Sequence, residues 1–375
     1  MKTMKEAIVD KETTISVVDS PIPKPGPGEV LIKIVVSGTN PKDWKVPAWT
    51  SQPANTGDDI AGLVEAVGEG VYGLRRGDRV AALHQPLKPS GSFAEYAIAP
   101  QSTTFPLPDS ISFEEGATIP LAAYTAVVAI FYQLGFPSPW EKGVKSTKTS
   151  AEDTLQRRPL VVYGASTAIG AFAIKLAHSA GVHPIIAVGS KNSEFVRPFL
   201  DSAKGGCIVD YTAHKTDEEL VDAIKDALEK AGGVGGRTFD AFDCVSDEKT
   251  IKLLTKLMAG TPSASGRKPR VTVILPVEDK NSESSVEVLR TEVGLVHSQT
   301  GQGEFASAEG GKLFGLVWSQ AFSRSPADGW LTAHPFEVQK SGLAGLESGL
   351  KGLRDGTVRA KKILIRLGET EGAQV

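Results

Sequence analysis

The segment Pro159–Gly181, PLVVYGASTAIGAFAIKLAHSAG, combines residue types that could bind an anion. A β-branched run ends at Gly164, Gly170 follows, and an alanine-rich helix begins there. Glycines are needed where a chain turns sharply from strand to helix and lets a diphosphate approach its backbone. The first helical turn then offers unpaired N–H groups and a partial positive charge. The stretch departs from strict G-x-G-x-x-G, and a tight turn that binds nothing has the same local look. Its place between a strand and a helix, with another strand about twenty residues on, favours a dinucleotide site. The candidate contacts are Gly164, Ser166, Thr167, Ala168, Ile169 and Gly170.

The end of that next strand discriminates between cofactors. In HPIIAVGSKNSEF the chain runs into Gly189, Ser190, Lys191 and Asn192, with Glu194 farther out. An NAD site usually places a carboxylate here to accept from the ribose hydroxyls. A hydroxyl and an ammonium suit a 2′-phosphate instead, so Ser190 and Lys191 point to NADPH. A solvated turn is the alternative. Tyr211, after Val209 and Asp210, either packs near the adenosine or belongs to the core.

Thiolate chemistry is nearly closed to this chain. It has two cysteines, Cys207 and Cys244, in no C-x-x-C arrangement. Structural zinc usually draws several thiolates from one short loop, so that kind of site is excluded. Two reduced thiols are expected rather than a disulfide.

The elements that must position these groups fall into two regions. Before Glu114 the chain is rich in short strands and glycine turns: Val30–Val36, Gly62–Val67 and Asp78–Leu83 read as strands of a small β domain. Glu115–Leu134 reads as a buried helix, and Gly135–Arg158 as a polar surface loop. From Pro159 strands and helices alternate, which predicts a parallel sheet covered on both faces. The strands are Leu160–Tyr163, His183–Val188, Thr238–Cys244 and Arg270–Leu275; the helices are Ala171–Ser179, Glu218–Lys230 and Thr250–Met258. Helix-like Leu343–Arg354 and strand-like Lys362–Arg366 follow, and could return to the first region.

A length of 375 residues suits two domains, and 41% hydrophobic with 23% charged residues is an ordinary globular composition. The net charge of −3 argues against nucleic acid or an anionic membrane as a main partner. The N-terminus lacks the apolar core of a signal peptide, and no apolar run reaches the ~18 residues of a membrane span. Cytoplasmic residence is the expectation.

Taken together, GPGEVLIKIVVSGTNPKDWK, GDDIAGLVEAVGEGV, RRGDRVAAL, SGSFAEYAIAP, IPLAAYTAVVA and the nucleotide turn resemble the medium-chain dehydrogenase/reductase superfamily. The resemblance implies an α/β fold: a GroES-like β-rich catalytic domain (1–124 and 326–375) joined to a Rossmann NADPH-binding domain (125–325), with the cofactor in the cleft between them. Zinc-dependent members carry metal ligands where this chain has Asn40, then Asp58 and Asp59, then Leu121. Leucine cannot ligate a metal and asparagine is a poor zinc ligand, so no catalytic zinc is expected. Neighbouring Asp58 and Asp59 read as a solvated or hydrogen-bonded turn.

Asn40-Pro41-x-Asp43-Trp44-Lys45 is similar to the zinc-free quinone oxidoreductases and enoyl reductases, and the chain most resembles fungal enoyl reductases that serve polyketide synthases in trans. That implies NADPH-dependent reduction of a carbon–carbon double bond conjugated to a carbonyl, on a small-molecule or carrier-tethered substrate, with a polyketide synthase as the implied partner. Such chemistry needs positioning and a donor for the developing oxyanion. Asn40 and Lys45 are the candidates, Tyr124 is a candidate proton donor otherwise read as core, and Thr125 matches a position that touches the nicotinamide. Lys361 or Lys362 could reach a phosphate, although solvation is the plainer reading; His84 and His334 read as structural. The resemblance leaves the oligomeric state open: relatives dimerise through an edge strand, for which Leu313–Trp318 is the candidate, while trans-acting relatives can be monomers. The rival readings are a quinone oxidoreductase and a non-catalytic NADPH-binding or synthase-partner subunit.

Overall fold

The computed structural model describes residues 2–141, 158–232, 236–261, 267–276, 285–298, 310–325 and 328–374. Two compact units divide the chain: Met1–Tyr124 with Val293–Val375, and Thr125–Glu292.

The first unit is built on a sheet that alternation of apolar and polar residues dictates. Strands β1 (Thr3–Val9) and β2 (Ile15–Pro21) form an antiparallel ribbon. Strands β3 (Glu29–Gly38), β4 (Asp59–Val67), β5 (Arg79–Leu83), β6 (Tyr96–Pro100) and β7 (Thr104–Pro106) pair antiparallel, β6 lying against β3. Val30, Ile32 and Ile34, two apart on β3, enter one core with Ile60, Val64 and Val80. Full burial of each such side chain stabilises the fold by roughly 1.5–3 kcal/mol. Between β3 and β4 lies helix α1 (Lys42–Thr50), which starts after Asn40-Pro41 and ends at Ser51 in the left-handed conformation (φ 55°).

The expected continuous helix Glu115–Leu134 is interrupted. Helix α2 (Phe113–Ala117) carries a capping box between Ser112 and Glu115, and α3 (Pro120–Val127) restarts at a proline, which favours a first helical turn. A wider π turn, Val128–Gln133, follows. Most of the expected loop Gly135–Arg158 lies outside the described residues.

The second unit is a parallel sheet of β8 (Leu160–Tyr163), β9 (Ile185–Gly189), β10 (Cys207–Asp210), β11 (Asp240–Asp243), β12 (Arg270–Val273) and β13 (Glu287–Arg290). Its spatial order is β10-β9-β8-β11-β12-β13, with every pairing parallel. This is the doubly wound order in which the strand direction of travel reverses between the first and fourth strands, and ligands bind beyond the carboxyl ends at that point. Helices α4 (Ala168–Ser179), α5 (Asp217–Lys230) and α6 (Glu248–Met258) accompany it. Leu220, Ile224 and Leu228 on α5 and Leu253, Leu254 and Leu257 on α6 share a core with Val161, Ile186 and Val271. These are the 3–4 residue spacings of an amphipathic helix. Both cysteines are free thiols.

After β13 the chain rejoins the first unit. Residues 293–325 therefore belong there, and not to the nucleotide-binding unit as the sequence suggested. The expected edge strand Leu313–Trp318 is instead part of helix α7 (Gly311–Arg324), which buries Gly311, Gly315, Trp318 and Phe322. Strand β14 (Phe336–Gln339), helix α8 (Leu346–Arg354) and strand β15 (Lys362–Arg366) follow; β15 pairs antiparallel with β3 and so completes the first sheet.

Candidate functional sites

In the second unit, β8 leads into Gly164, whose φ of 84° is the left-handed region that favours glycine. Thr167 then caps α4: its hydroxyl donates to the Gly164 carbonyl at 2.8 Å and accepts from the Gly170 N–H at 3.0 Å. A first helical turn leaves N–H groups without intrahelical partners, and Thr167 takes only that of Gly170. The Ala168 and Ile169 N–H groups stand in the same first turn, where a helix supplies no partners of its own. Ser166, Thr167, Ala168 and Ile169 are half-buried, so the mouth of the turn is accessible. A side chain on Gly170 would strike the Gly164 carbonyl, which keeps the backbone surface open. The arrangement can receive a diphosphate.

The neighbouring strand end lies at the same edge. β9 and β8 pair with Tyr163 beside Val188, and β10 and β9 with Asp210 beside Gly189. Ser190 starts a short 3₁₀ helix, accepting from the Asn192 N–H at 3.2 Å, and Lys191 is exposed. Tyr211 is 41% exposed and stacks on Tyr163, with ring centroids 6.4 Å apart. Of its two readings, a core residue is therefore the weaker. Burial, reinforced by Asp243, pushes the Tyr163 phenol up to about 12, so it stays neutral. Thr125, also of this unit, is buried.

In the first unit, the residues flagged at Asn40, Asp59 and Leu121 converge. The Asn40 Nδ2 donates to Asp59 Oδ2 at 2.6 Å, and the Leu121 main-chain N–H donates to Asp59 Oδ1 at 2.7 Å. Lys362 donates to Asn40 Oδ1 at 3.0 Å and pairs with Asp59. Lys362 is only 3% exposed and Asp59 0%, which corrects the expectation of a solvated lysine. Lys361 instead pairs with Glu337 at the surface.

A second buried network adjoins the first through Asn40, whose N–H donates to Asp43 Oδ2 at 2.7 Å. Lys42 lies 3.1 Å from Asp43 and 2.7 Å from Asp58, and also donates to the Thr56 carbonyl. His84 holds Asp58 at 2.9 Å through Nδ1 and faces the Pro89 carbonyl at 3.1 Å through Nε2. Burial alone would raise Asp58, but Lys42 and His84 together hold it below the usual carboxylate range. Burial does prevail at Asp43, which rises to about 7 against the pull of Lys42. Asp58 and Asp59 are thus hydrogen-bonded, as one of the two readings had it, but they are buried and not solvated, and Asp59 already belongs to β4.

Lys45 follows one turn into α1. It is half-buried, its amine lies 5.6 Å from the centroid of the Trp44 ring, and burial lowers its pKa. Tyr124 is elsewhere: it is 0% exposed, packed edge-on against Phe322 at 5.0 Å, and burial holds its phenol well above the ordinary value. That is a core position. His84 is buried between Asp58 and the Pro89 carbonyl, and His334 is buried, its main-chain N–H donating to Thr118 Oγ1. Sequence reasoning missed Lys42 and gave Lys362 the wrong surroundings; only the pairing of β15 with β3 brings the latter to Asn40.

Comparison with known proteins bears on this geometry. Residues 26–109 match the alcohol dehydrogenase GroES-like domain. A trans-enoyl reductase of Gibberella fujikuroi, fsr4, is 37% identical over 339 residues, covering 90% of each chain. The chain belongs to the trans-enoyl reductase family. The solved CurK enoyl reductase is similar to this family member over 97% of the chain and 98% of its own, at 16% identity and a TM-score of 0.70. A mycobacterial protein complexed with NADPH matches over 96% of the chain and 99% of its own, at 21% identity and a TM-score of 0.65. At these identities the two structures establish the α/β medium-chain fold alone. Among the described residues, no helix is long and apolar enough to cross a membrane.

Proposed function

We propose that this protein reduces a carbon–carbon double bond conjugated to a carbonyl, with NADPH and without a metal ion. Membership in the trans-enoyl reductase family, at 37% identity across most of both chains, is the observation that carries the reading. It makes the chain an oxidoreductase of C=C bonds. A nicotinamide cofactor fits the doubly wound sheet and its glycine turn. NADPH, when bound, supplies the hydride for the substrate's β-carbon.

The chain's own residues do the rest. The turn from Gly164 through Ser166, Thr167, Ala168 and Ile169 to Gly170 holds the diphosphate on main-chain N–H groups. Ser190 and Lys191 hold the 2′-phosphate, Tyr211 lies along the adenosine, and Thr125 orients the nicotinamide. Charge that develops on the substrate carbonyl oxygen is received by Lys45, on α1, and by the Asn40 carboxamide, which Asp59 and Lys362 already hold in place. Tyr124 is set aside as proton donor because its phenol is sealed in an aromatic cluster. The metal-free reading rests on donor chemistry: Leu121 offers Asp59 only an N–H, and the Asn40 oxygen is already taken by Lys362. The substrate is a small or carrier-tethered enoyl compound in the cytoplasm, and a polyketide synthase is the partner that would present the tethered form.

The test is NADPH oxidation by the purified protein against a panel of enones and enoyl thioesters. Turnover that falls sharply in Lys45→Met is expected. No oxidation with any panel member would overturn the reading.

A further inference from the structure

The pair formed by Lys362 and Asp59 is costly, because two charges leave water and a buried ion pair is weak evidence for stability. What it achieves is visible at Asn40. An ammonium can only donate and an ionised carboxylate can only accept, so Lys362 fixes Oδ1 on its side and Asp59 fixes Nδ2 on the other. The carboxamide has one orientation. Its Nδ2 carries two hydrogens, and Asp59 takes one of them. A cation bound to Oδ1 polarises the amide and strengthens the remaining N–H as a donor. The lysine comes from 322 residues along the chain, on a strand that docks beside Asn40 through Thr39, whose N–H and hydroxyl both donate to the Ile363 carbonyl at 2.9 Å.

We infer that Lys362 is a positioning residue for the reduction: it locks and polarises the Asn40 carboxamide so that its second Nδ2–H meets the developing enolate oxygen. This rests on the enone-reductase reading above and assigns that site a residue outside its substrate-contacting set.

The experiment compares the parent with Lys362→Met, Asn40→Ala, their combination, and Lys362→Met/Asp59→Asn. The last keeps the volume and leaves no unpaired buried charge, so it folds even if Lys362→Met does not. Expected is a fall in kcat on the order of 30-fold in the charge-free double variant, the size of a weakened oxyanion donor. Its NADPH affinity should stay within about threefold of the parent and its urea midpoint should recover. The Lys362→Met and Asn40→Ala losses should not multiply, since both act through one amide. A charge-free double variant that regains the parent kcat overturns the inference. If the parent itself reduces nothing, the functional reading fails separately, and the Lys362 assignment is judged by NMR. There the Asn40 side-chain amide signal, identified by its loss in Asn40→Ala, must shift between the parent and the charge-free double variant; an unmoved signal overturns it.

Discussion

A methyl group placed on Gly170 would lie 2.3 Å from the carbonyl oxygen of Gly164, so the two ends of the nucleotide turn meet through the space that a missing side chain leaves. Gly170→Ala must push the helix start away from the strand end. The Thr167 bridge to both glycines, at 2.8 and 3.0 Å, would break with it. The expected result is a loss of NADPH affinity of about tenfold or more, because the diphosphate loses aligned N–H donors. Fluorescence titration of NADPH reads it, and unchanged affinity would show that the turn is only structural.

The proposed preference for NADPH is assigned to Ser190 and Lys191. No carboxylate occupies the positions from Gly189 to Ser193, and Lys191 is exposed. Lys191→Ala should raise the KM for NADPH about 5- to 30-fold, the range for one lost charge-assisted contact, and leave NADH nearly unchanged. Ser190→Asp adds a charge that repels the 2′-phosphate and should bring the two cofactors closer to parity. Steady-state kinetics with both cofactors decide; equal effects on the two would remove the assignment.

Features with a local cause are legible in the amino-acid sequence. The turn at Gly164 and the strand Lys362–Arg366 are set by neighbouring residues, and they occur where the sequence places them. Misreadings arise where the cause is distant. Lys362 reads as solvated because nothing near it in sequence reveals Asp59 or Asn40; pairing across the sheet supplies them. The stretch Leu313–Trp318 is apolar enough for either a strand or a helix, and short apolar runs do not separate the two. Burial at 311, 315, 318 and 322 marks the helix only once packing is known.

Lys175 offers a test of stability. It sits on α4 at 1% exposure, its amine 5.0 Å from the Phe172 ring centroid and 5.5 Å from that of Phe199. Burial lowers its pKa to about 8. The unfolded chain, with an ordinary lysine near 10.4, binds more protons between those values, so stability from this group rises with pH across about 8 to 10.4 and is lost below. Lys175→Met should therefore gain about 1–3 kcal/mol at pH 7, with the advantage shrinking towards pH 10. Urea midpoints at the two pH values measure it. A gain that does not change with pH would mean that packing, and not charge, is responsible.

His297 makes the complementary prediction in acid. Both of its ring nitrogens are buried without a hydrogen-bond partner among the described residues, at the end of a 3₁₀ turn, Val293–His297, that packs beside α7. Burial brings its pKa down to about 4; the nearby Asp58 carboxylate pulls upward and His84 pushes downward, without reversing the direction. An ordinary histidine in the unfolded chain takes its proton near 6.5. Between these values the unfolded state holds more protons than the native state, so stability is complete above about 6.5 and drains away as the pH falls to about 4. His297→Phe removes both the proton uptake and two unsatisfied polar atoms, at nearly constant shape. The variant should be at least as stable as the parent at pH 7, and its lead should widen by about 2 kcal/mol at pH 4.5. Asp43 titrates near this range with the opposite sign, losing stability as the pH rises from the ordinary carboxylate range to about 7, so the comparison must be variant against parent at each pH. A constant difference between the two unfolding curves across that window would place the His297 proton in solvent and refute the buried, neutral imidazole.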